Sequence, residues 1–325
     1  MFQLKGSSLG GSVTNLIGGV IIHTYGWSYI FHLSGVLCLV WVILWWLNVY
    51  DRPSEHPRIS SQELEYLQNH VEMDTSKQKK VSLQTPWLDI FTSVPFLAVS
   101  SVFFAMMWFN VTLALQLPTY LDMTHNLNIK MNGYLLSIPD IVKVLVGISF
   151  PMFVDNLVKK KKITITFARR FSGTIGMAIP GILLILLAYY GYVSIELTIV
   201  LIVLTISISG CGSSSYIANV VDISPNHSGS LMGFLKTISS LPGIISPIII
   251  KHMIADDSAN WRSVFLVTSV LVIVSSMIFL FFSSTDIQPW NNKIQMEPVK
   301  TSDNEDLLMV KIKTPDKEEH TADNL

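Results

Sequence analysis

Long apolar runs constrain the fold of this 325-residue chain more than any other feature of its sequence. A helix needs about 20 mostly apolar residues to cross roughly 30 Å of hydrocarbon. The sequence therefore predicts an all-α membrane protein with about eight transmembrane helices. The eight segments run approximately over residues 8–25, 28–50, 94–119, 133–154, 172–190, 194–218, 232–250 and 263–283.

The composition supports this prediction and excludes several other classes of protein. Half of the residues are hydrophobic and 14% are charged, whereas soluble domains carry roughly 25% charged residues. This excludes a soluble enzyme or a disordered chain. The formal net charge of −1 provides no electrostatic basis for binding nucleic acid. Cys38 and Cys211 both lie in apolar runs, so the sequence indicates no disulfide framework, no metal site and no cofactor.

The first apolar run is the weakest of the eight. Five glycines between residues 6 and 19 dilute its hydrophobicity, although small residues let helices pack closely in lipid. We predict that it spans the membrane. The alternative is a signal peptide, which would have a compact Leu-rich stretch and a small-residue cleavage site instead of a run rich in Gly, Ser and Thr.

The distribution of Lys and Arg predicts the orientation of the chain. The 155–171 loop holds six basic residues, whereas the loops at 120–132 and 190–195 together hold one. Because basic residues collect in cytosolic loops, the 155–171 loop is predicted to face the cytosol and to lie near anionic lipid. Counting spans from it places the 51–92 segment and the tail after residue 284 on the same side.

Ten short strings, in this order and spacing, carry a family resemblance that extends from about Leu9 to Trp290. The chain resembles the anion:cation symporter family of the major facilitator superfamily, which includes sialin, the vesicular glutamate transporters and the type I sodium-phosphate cotransporters. The strings occupy residues 26–31, 50–60, 117–121, 132–139, 155–157, 168–170, 222–225, 231–233, 241–244 and 288–290.

This resemblance implies an arrangement of domains. Family members have twelve helices in two pseudo-symmetric bundles that rock around a central site. The eight helices here correspond to helices five to twelve, so the first four are missing, as expected for a truncated gene model, a short isoform or a fragment. Residues 1–50 would form two helices of an incomplete bundle, 51–92 a cytosolic linker, 93–284 a six-helix bundle, and 285–325 a disordered cytosolic tail.

The linker and the tail each carry a local signal. Ser60 and Glu63 have the spacing of a helix cap, which predicts a short amphipathic helix through about residue 70. Asp303, Leu307 and Leu308 fit an acidic dileucine sorting signal, although six-residue matches also arise by chance in acidic tails.

Charged groups inside a bilayer are costly, so each one is a candidate functional residue. Asp140 and Lys143 lie three residues apart on one helical face. They are either a neutralised pair without a role in transport or a charge pair that lines a cavity. Lys236 lies about one turn into the seventh span, where it either contacts an anionic substrate or extends to the headgroups.

Neutral polar groups give further candidates. Asn110, Thr112 and Gln116 lie on the third span, where they contact substrate or join helices by hydrogen bonds. The segment from Gly210 to Ser215 interrupts the sixth span, which predicts a closely packed, flexible break.

The resemblance also implies a cytosolic gate. An acidic residue at one helix end and arginines at the next can form charge-assisted hydrogen bonds that hold one state closed. The residues in question are Asp155, Arg169, Arg170, Asn219 and Asp222.

We therefore predict a secondary active transporter that carries organic or inorganic anions, such as phosphate, sialate or glutamate, with Na⁺ or H⁺ by alternating access. Its membrane would be the plasma membrane or an endolysosomal or vesicular membrane. The alternative is a truncated membrane protein of the same family that does not transport. An intramembrane enzyme is disfavoured, because the sequence has neither a Gly-x-Ser-x-Gly motif with a histidine nor two intramembrane aspartates.

Overall fold

The computed structural model describes residues 3–50, 53–67, 85–127, 129–254 and 261–292. Within these ranges the chain is helical, with short connections. The helices are α1 Gln3–Tyr25, α2 Ser28–Asn48, α3 Ser61–Leu67, α4 Trp87–Thr92, α5 Val94–His125, α6 Ile129–Lys159, α7 Ile165–Tyr190, α8 Ile195–Ser209, α9 Ser213–Ile223, α10 Ser228–Ile254 and α11 Trp261–Phe282. Short 3₁₀ helices cover Pro53–Glu55 and Pro289–Asn292.

Seven helical segments in the described ranges are long and apolar enough to cross a membrane. They correspond to the second through eighth apolar runs of the sequence. The first run forms α1, which has 23 residues but is not apolar enough to be counted among them. Its glycines and hydroxyl residues are the physical reason, because they lower the mean hydropathy without preventing a helix.

The sixth span is broken where the sequence predicted a break. Helix α8 ends at Ser209 and α9 begins at Ser213, and the two together form one span, Ile195–Ile223. The turn between them includes two glycines, Gly210 and Gly212. The predicted interruption is confirmed.

Helix α5 is the centre of the apolar core. It packs against α9, α10 and α11, while α7 packs against α8 and α11. Phe96, Leu117 and Tyr120 of α5 are fully buried, as are Leu184 of α7 and Phe279 of α11. Burial of this kind in lipid gives close packing and not a gain in transfer energy, because lipid tails are as apolar as the side chains.

The first two helices are attached differently. Helix α1 packs extensively against α6, whereas α2 packs on α1 and buries none of its own residues. Tryptophan side chains on α2, such as Trp46, are among its exposed groups. Helix α2 is therefore attached to the six-helix part through α1.

The predicted linker contains two short α-helices and one 3₁₀ helix in its described parts. The Ser60 hydroxyl accepts a hydrogen bond from the Glu63 backbone N–H at 3.2 Å, which confirms the predicted cap of α3. Helix α4 packs its aromatic face on α10, where the Phe91 and Phe234 ring centroids are 4.8 Å apart. The end of this segment is thus packed against the bundle.

Candidate functional site

A small cavity of about 20 Å³ lies among α5, α6, α7, α8, α9 and α11, which is room for about one water molecule. Asn110 and Lys143, which line it, lie halfway along α5 and α6, so the cavity is near the middle of the predicted membrane depth. Its other lining residues are Met106, Phe109, Gly176, Met177, Pro180, Ser209, Ser213, Tyr216 and Val272.

Lys143 provides the charge of this cavity. Its Nζ donates a hydrogen bond to Oδ1 of Asn110 at 3.1 Å. The Asn110 amide is held in place in turn, because its Nδ2 donates to the Met106 carbonyl at 2.7 Å. No carboxylate of the described residues forms an ion pair with Lys143 within 4.0 Å. The ammonium group therefore faces the cavity bonded to an amide rather than to a counter-ion.

The hydroxyl groups that line the cavity already donate to the backbone. Ser209 donates to the Ile206 carbonyl at 2.7 Å, and Ser213 donates to the Gly210 carbonyl at 3.2 Å. Tyr216 donates to a backbone carbonyl of α7 at 2.6 Å. Because each hydroxyl has one hydrogen, these groups offer the cavity mainly acceptors. Lys143 is the strongest donor available to an anion there.

Asp140 lies one turn before Lys143 but contacts a different helix. One of its carboxylate oxygens, Oδ2, accepts a hydrogen bond from Nδ2 of Asn15 on α1 at 3.3 Å. The two charged residues form no ion pair within 4.0 Å. Instead of a direct ion pair, each charged group is hydrogen-bonded to a neutral amide, Asp140 to Asn15 of α1 and Lys143 to Asn110 of α5.

Glycines allow the broken span to approach its neighbours closely. A Cβ added at Gly210 would lie 2.6 Å from the Lys143 carbonyl oxygen, and one added at Gly176 would lie 2.4 Å from the Gly212 nitrogen. Both distances are far shorter than van der Waals contact. The break thus packs backbone against backbone next to the cavity, which is the close packing that the sequence predicted.

The remaining predicted substrate contacts lie elsewhere. Thr112 is buried, and its hydroxyl has no hydrogen-bond partner among the described residues. Gln116 is half-buried on the same helix, and Lys236 is exposed on α10. None of these three residues lines the cavity. Of the four predicted substrate-binding residues, the structure thus places Asn110 at the cavity, together with Lys143 from the predicted charge pair.

The candidate gate forms at the end of the bundle that is predicted to face the cytosol. The Nε of Arg169 forms an ion pair with Oδ2 of Asp222 at 3.0 Å. The Nε of Arg170 donates to the Ser283 carbonyl at 3.0 Å, and Asn219 donates to the Ser284 carbonyl at 2.8 Å. Four of the five predicted gate residues therefore lie in one hydrogen-bonded region.

Asp155 is the exception among the predicted gate residues. Its side chain is exposed and forms no ion pair within the described part of the chain. The resemblance implied an acidic partner for the arginines at this helix end. In the structure that partner is Asp222, which α9 brings to the side of α7.

Residues 283–292, here called the strap, cross the same end of the bundle. The Gln288 backbone N–H donates to the Ile223 carbonyl at 2.9 Å. The side-chain oxygen of Asn291 accepts from the Ser224 hydroxyl at 2.8 Å and from the Asn226 backbone N–H at 3.1 Å. Trp290 is 4% exposed. The strap thus joins α7, α9 and the start of α10.

Sequence reasoning placed most of the strap in the disordered tail that was predicted to begin at residue 285. The structure differs, because residues 285–292 pack on the bundle. The available sequence signal for this packing is the string Gln288-Pro289-Trp290, which places a large aromatic residue in an otherwise polar segment. The candidate sorting residues Asp303, Leu307 and Leu308 lie outside the described residues.

The opposite end of the bundle is held by an aromatic cluster of Tyr120, Tyr192, Trp261 and Phe265. The Tyr120 ring lies edge-on to Phe265 with centroids 4.9 Å apart, and its centroid is 5.6 Å from that of Trp261. Its hydroxyl donates to the Gly191 carbonyl at 3.1 Å. This cluster was not predicted, since its members come from two helices and one loop that are distant in the sequence.

Comparisons with known proteins agree with this arrangement. The profile of the Major Facilitator Superfamily matches residues 4–247 and, in a second match, 168–314. The chain is 30% identical over 286 residues to sialin from Homo sapiens, covering 88% of this chain and 57% of that protein. It is 29% identical over 290 residues to sodium-dependent phosphate transport protein 4 from Homo sapiens, covering 88% and 67% of the two proteins.

A third relative is vesicular glutamate transporter 1 from Xenopus tropicalis, with 28% identity over 300 residues, 92% of this chain and 51% of the relative. The chain spans a little over half the length of sialin. The resemblance inferred from the short strings is confirmed, since these relatives carry the names that it predicted. With seven helices able to cross a membrane, the chain is an integral, multi-pass membrane protein, and it belongs to the Major Facilitator Superfamily.

Proposed function

We propose that this chain carries small anions across a membrane as a secondary active transporter, with its anion site at the cavity that Lys143 lines. One observation carries the proposal: an ammonium group lies at mid-depth of the bundle with an amide, and no carboxylate, as its partner. A cation that is removed from water and is not bonded directly to a carboxylate favours an anion beside it. Phosphate, sialate and glutamate-like anions are the proposed substrates.

The broken span supports this proposal. In many transporters, interrupted helices lie beside the substrate site, where their irregular backbone lines a cavity. Here Ser209 and Ser213 flank the break and both line the cavity. A turn between two half-helices can change its tilt more easily than a continuous helix, which suits alternating access.

The same geometry argues for transport rather than catalysis. An enzyme of the hydrolase type needs a nucleophile that is hydrogen-bonded to a general base. The cavity hydroxyls of Ser209, Ser213 and Tyr216 instead donate to backbone carbonyls. We therefore propose that the bound anion leaves the cavity chemically unchanged.

Anion exchange in proteoliposomes tests the proposal. Vesicles that contain the full chain and are loaded with unlabelled phosphate, glutamate or sialate should take up the corresponding labelled anion. Lys143→Gln removes the charge but keeps most of the side-chain volume, so we expect exchange to fall at least tenfold. Lys251→Gln, on the exposed last turn of α10, is the matched control and should exchange like the wild type.

Lys236 gives a second comparison in the same assay. It is exposed on α10 and does not line the cavity. We therefore expect Lys236→Gln to retain the affinity and rate of the wild type. Loss of exchange in Lys236→Gln with normal exchange in Lys143→Gln would move the anion site to α10 and contradict the proposal.

A membrane protein of the same family that does not itself transport remains the second candidate. The observation that favours it is α2, which buries none of its residues. A helix with no buried face in a superfamily of packed bundles would suit a chain that associates with further helices. This candidate predicts no exchange for the chain alone and restored exchange when a full-length relative is present in the same vesicles.

A further inference from the structure

We propose that the Asn110 side chain is a built-in competitor of the anion. It occupies Lys143 in the empty site, and an anion binds by displacing it, which disconnects α5 from α6 at mid-depth. The inference rests on the proposed anion site. It gives Asn110 a role opposite to the substrate contact that the sequence predicted, so the two roles predict opposite effects of the same substitution.

The bond between Asn110 and Lys143 supplies the first step, because it joins two helices. Asn110 belongs to α5, and its Oδ1 accepts a hydrogen bond from the Lys143 Nζ of α6 at 3.1 Å. The amide is oriented by its own helix, since Nδ2 donates to the Met106 carbonyl one turn earlier at 2.7 Å. Asn110 thus presents to the ammonium group what an anion would present, namely an acceptor oxygen.

The space beside Lys143 supplies the second step. The cavity has room for about one water molecule, and phosphate, glutamate and sialate are all larger than water. An anion can therefore enter only if part of the wall moves.

Most of the wall is fixed by close packing. A Cβ added at Gly210 would lie 2.6 Å from the Lys143 carbonyl oxygen, so the broken span already touches the backbone of α6. Gly176 of α7 packs against the backbone of the same break, and the Tyr216 hydroxyl is bonded to a backbone carbonyl of α7 at 2.6 Å. Asn110 is joined to the opposite wall by its bond to the ammonium group. Its displacement breaks a bond that the anion then replaces.

The charge of the ligand supplies the third step, because it decides whether the displacement is favourable. The bond from the ammonium group to the Asn110 amide has one charged partner. A bond to a carboxylate or phosphate oxygen has two, and such bonds are short and strong. Coulomb attraction in an interior of low dielectric constant adds to this difference. An anion therefore gains by replacing the amide, whereas a neutral molecule of the same size does not.

The displacement has a mechanical consequence. Helix α5 packs with α9, α10 and α11, whereas α6 packs mainly with α1 and α8. Besides the bond at mid-depth, Asn132 of α6 donates to the Pro118 carbonyl of α5 at 3.2 Å, near the end opposite the strap. An anion that breaks the first bond leaves the second, about which α6 can tilt away from α5. Binding of the anion would thus start the movement that alternating access requires.

The sign of a change in affinity tests the proposal. The apparent Kd of labelled phosphate, glutamate and sialate is measured on the full chain in detergent. Asn110→Ala removes the competitor, so we expect the Kd of each anion that the wild type binds to fall about tenfold. A direct contact between Asn110 and the anion predicts a higher Kd instead. A higher or an unchanged Kd would overturn the proposal.

Asn110→Asp gives a second test with a side chain of nearly the same size. A carboxylate on α5 competes for Lys143 more strongly than the amide does, so we expect the apparent Kd to rise by about tenfold or more. Anion exchange in proteoliposomes should fall with it. Binding at the wild-type strength in this variant would also overturn the proposal.

Asn156→Ala and Asn156→Asp are the matched controls, since Asn156 is an exposed amide on α6. Both should bind anions like the wild type. Tighter binding in Asn110→Ala cannot result from misfolding, because misfolding would weaken it. Absence of exchange in the wild type would overturn the proposed function and this inference together. Exchange that depends on Lys143, with weaker binding in Asn110→Ala, would overturn this inference alone.

Discussion

At the end of the bundle that carries the strap, hydrogen bonds and the Arg169–Asp222 ion pair join α7, α9 and the strap, whereas at the opposite end the aromatic cluster joins α5 to α11. Arg169 and Asp222 at the first end are each about one quarter exposed. Tyr120 and Trp261 at the second end are completely buried. Water can replace a hydrogen bond at little net cost, but it cannot replace packed rings. The comparison indicates that the strap end opens more easily.

The largest expected effect concerns the aromatic cluster. Trp261→Ala should lower the free energy of unfolding by about 3–5 kcal/mol, because a fully buried large aromatic side chain leaves a cavity that its neighbours cannot fill. Thermal unfolding in detergent measures this change. Trp46→Ala is the control, since Trp46 is 80% exposed on α2. Equal losses in the two variants would show that the cluster does not hold its end of the bundle.

The next effect concerns the strap. Asn291→Ala removes the side-chain oxygen that accepts hydrogen bonds from Ser224 and Asn226. At about 1 kcal/mol for each bond, the strap should be bound less tightly by about 2 kcal/mol. Hydrogen exchange of residues 283–292 measures this change directly. Asn156→Ala, an exposed amide on α6, should leave the exchange of the strap unaltered, and similar exchange in both variants would contradict the proposed contact.

The same contrast explains what the sequence could predict. The second to eighth spans and the break at 210–212 follow from local features, namely hydropathy and glycine content, and these were predicted correctly. The partner of Arg169 depends on how α9 lies beside α7, which no local pattern encodes, so Asp222 was not distinguished from Asp155. The cavity likewise depends on how helices pack, which the sequence does not show locally. Asn110 and Lys143 were named separately, but only the packing of α5 on α6 joins them.

A smaller effect is expected for the ion pair at the strap end. A double-mutant cycle with Arg169→Gln and Asp222→Asn should give a coupling energy of up to about 1 kcal/mol, because both groups are partly exposed and solvent screens them. High salt should reduce this energy. The matched cycle pairs Arg169→Gln with Asp155→Asn and should be additive. A larger coupling to Asp155 than to Asp222 would favour the arrangement that the resemblance implied.

The smallest effect is a pH dependence at the same end. Burial lowers the pKa of His227 below its ordinary value, although a hydrogen bond with the Asn291 backbone partly opposes this shift. A histidine with a lowered pKa contributes its full stability above pH 6.5, the ordinary value, and loses it as the pH falls below 6.5. The protection factor of the strap amides, which is their intrinsic exchange rate at a given pH divided by the observed rate, should therefore be smaller at pH 5.5 than at pH 7.5.

His227→Gln removes the titrating group and keeps a polar side chain of similar size. In this variant the difference between the protection factors of the strap at pH 5.5 and at pH 7.5 should be smaller. An unchanged difference would assign the pH dependence to another group. Exchange at the aromatic end, measured in the same experiment, provides the internal reference.

The glycines beside the broken span limit which substitutions this chain can accept. At positions 176 and 210, hydrogen is the only side chain that fits, because the neighbouring backbone occupies the space that a Cβ would need. A larger side chain at either position would force the neighbouring backbone to move. If the cavity is the anion site proposed above, changes of substrate preference would come from Asn110, Ser209 or Ser213, which line it together with Lys143.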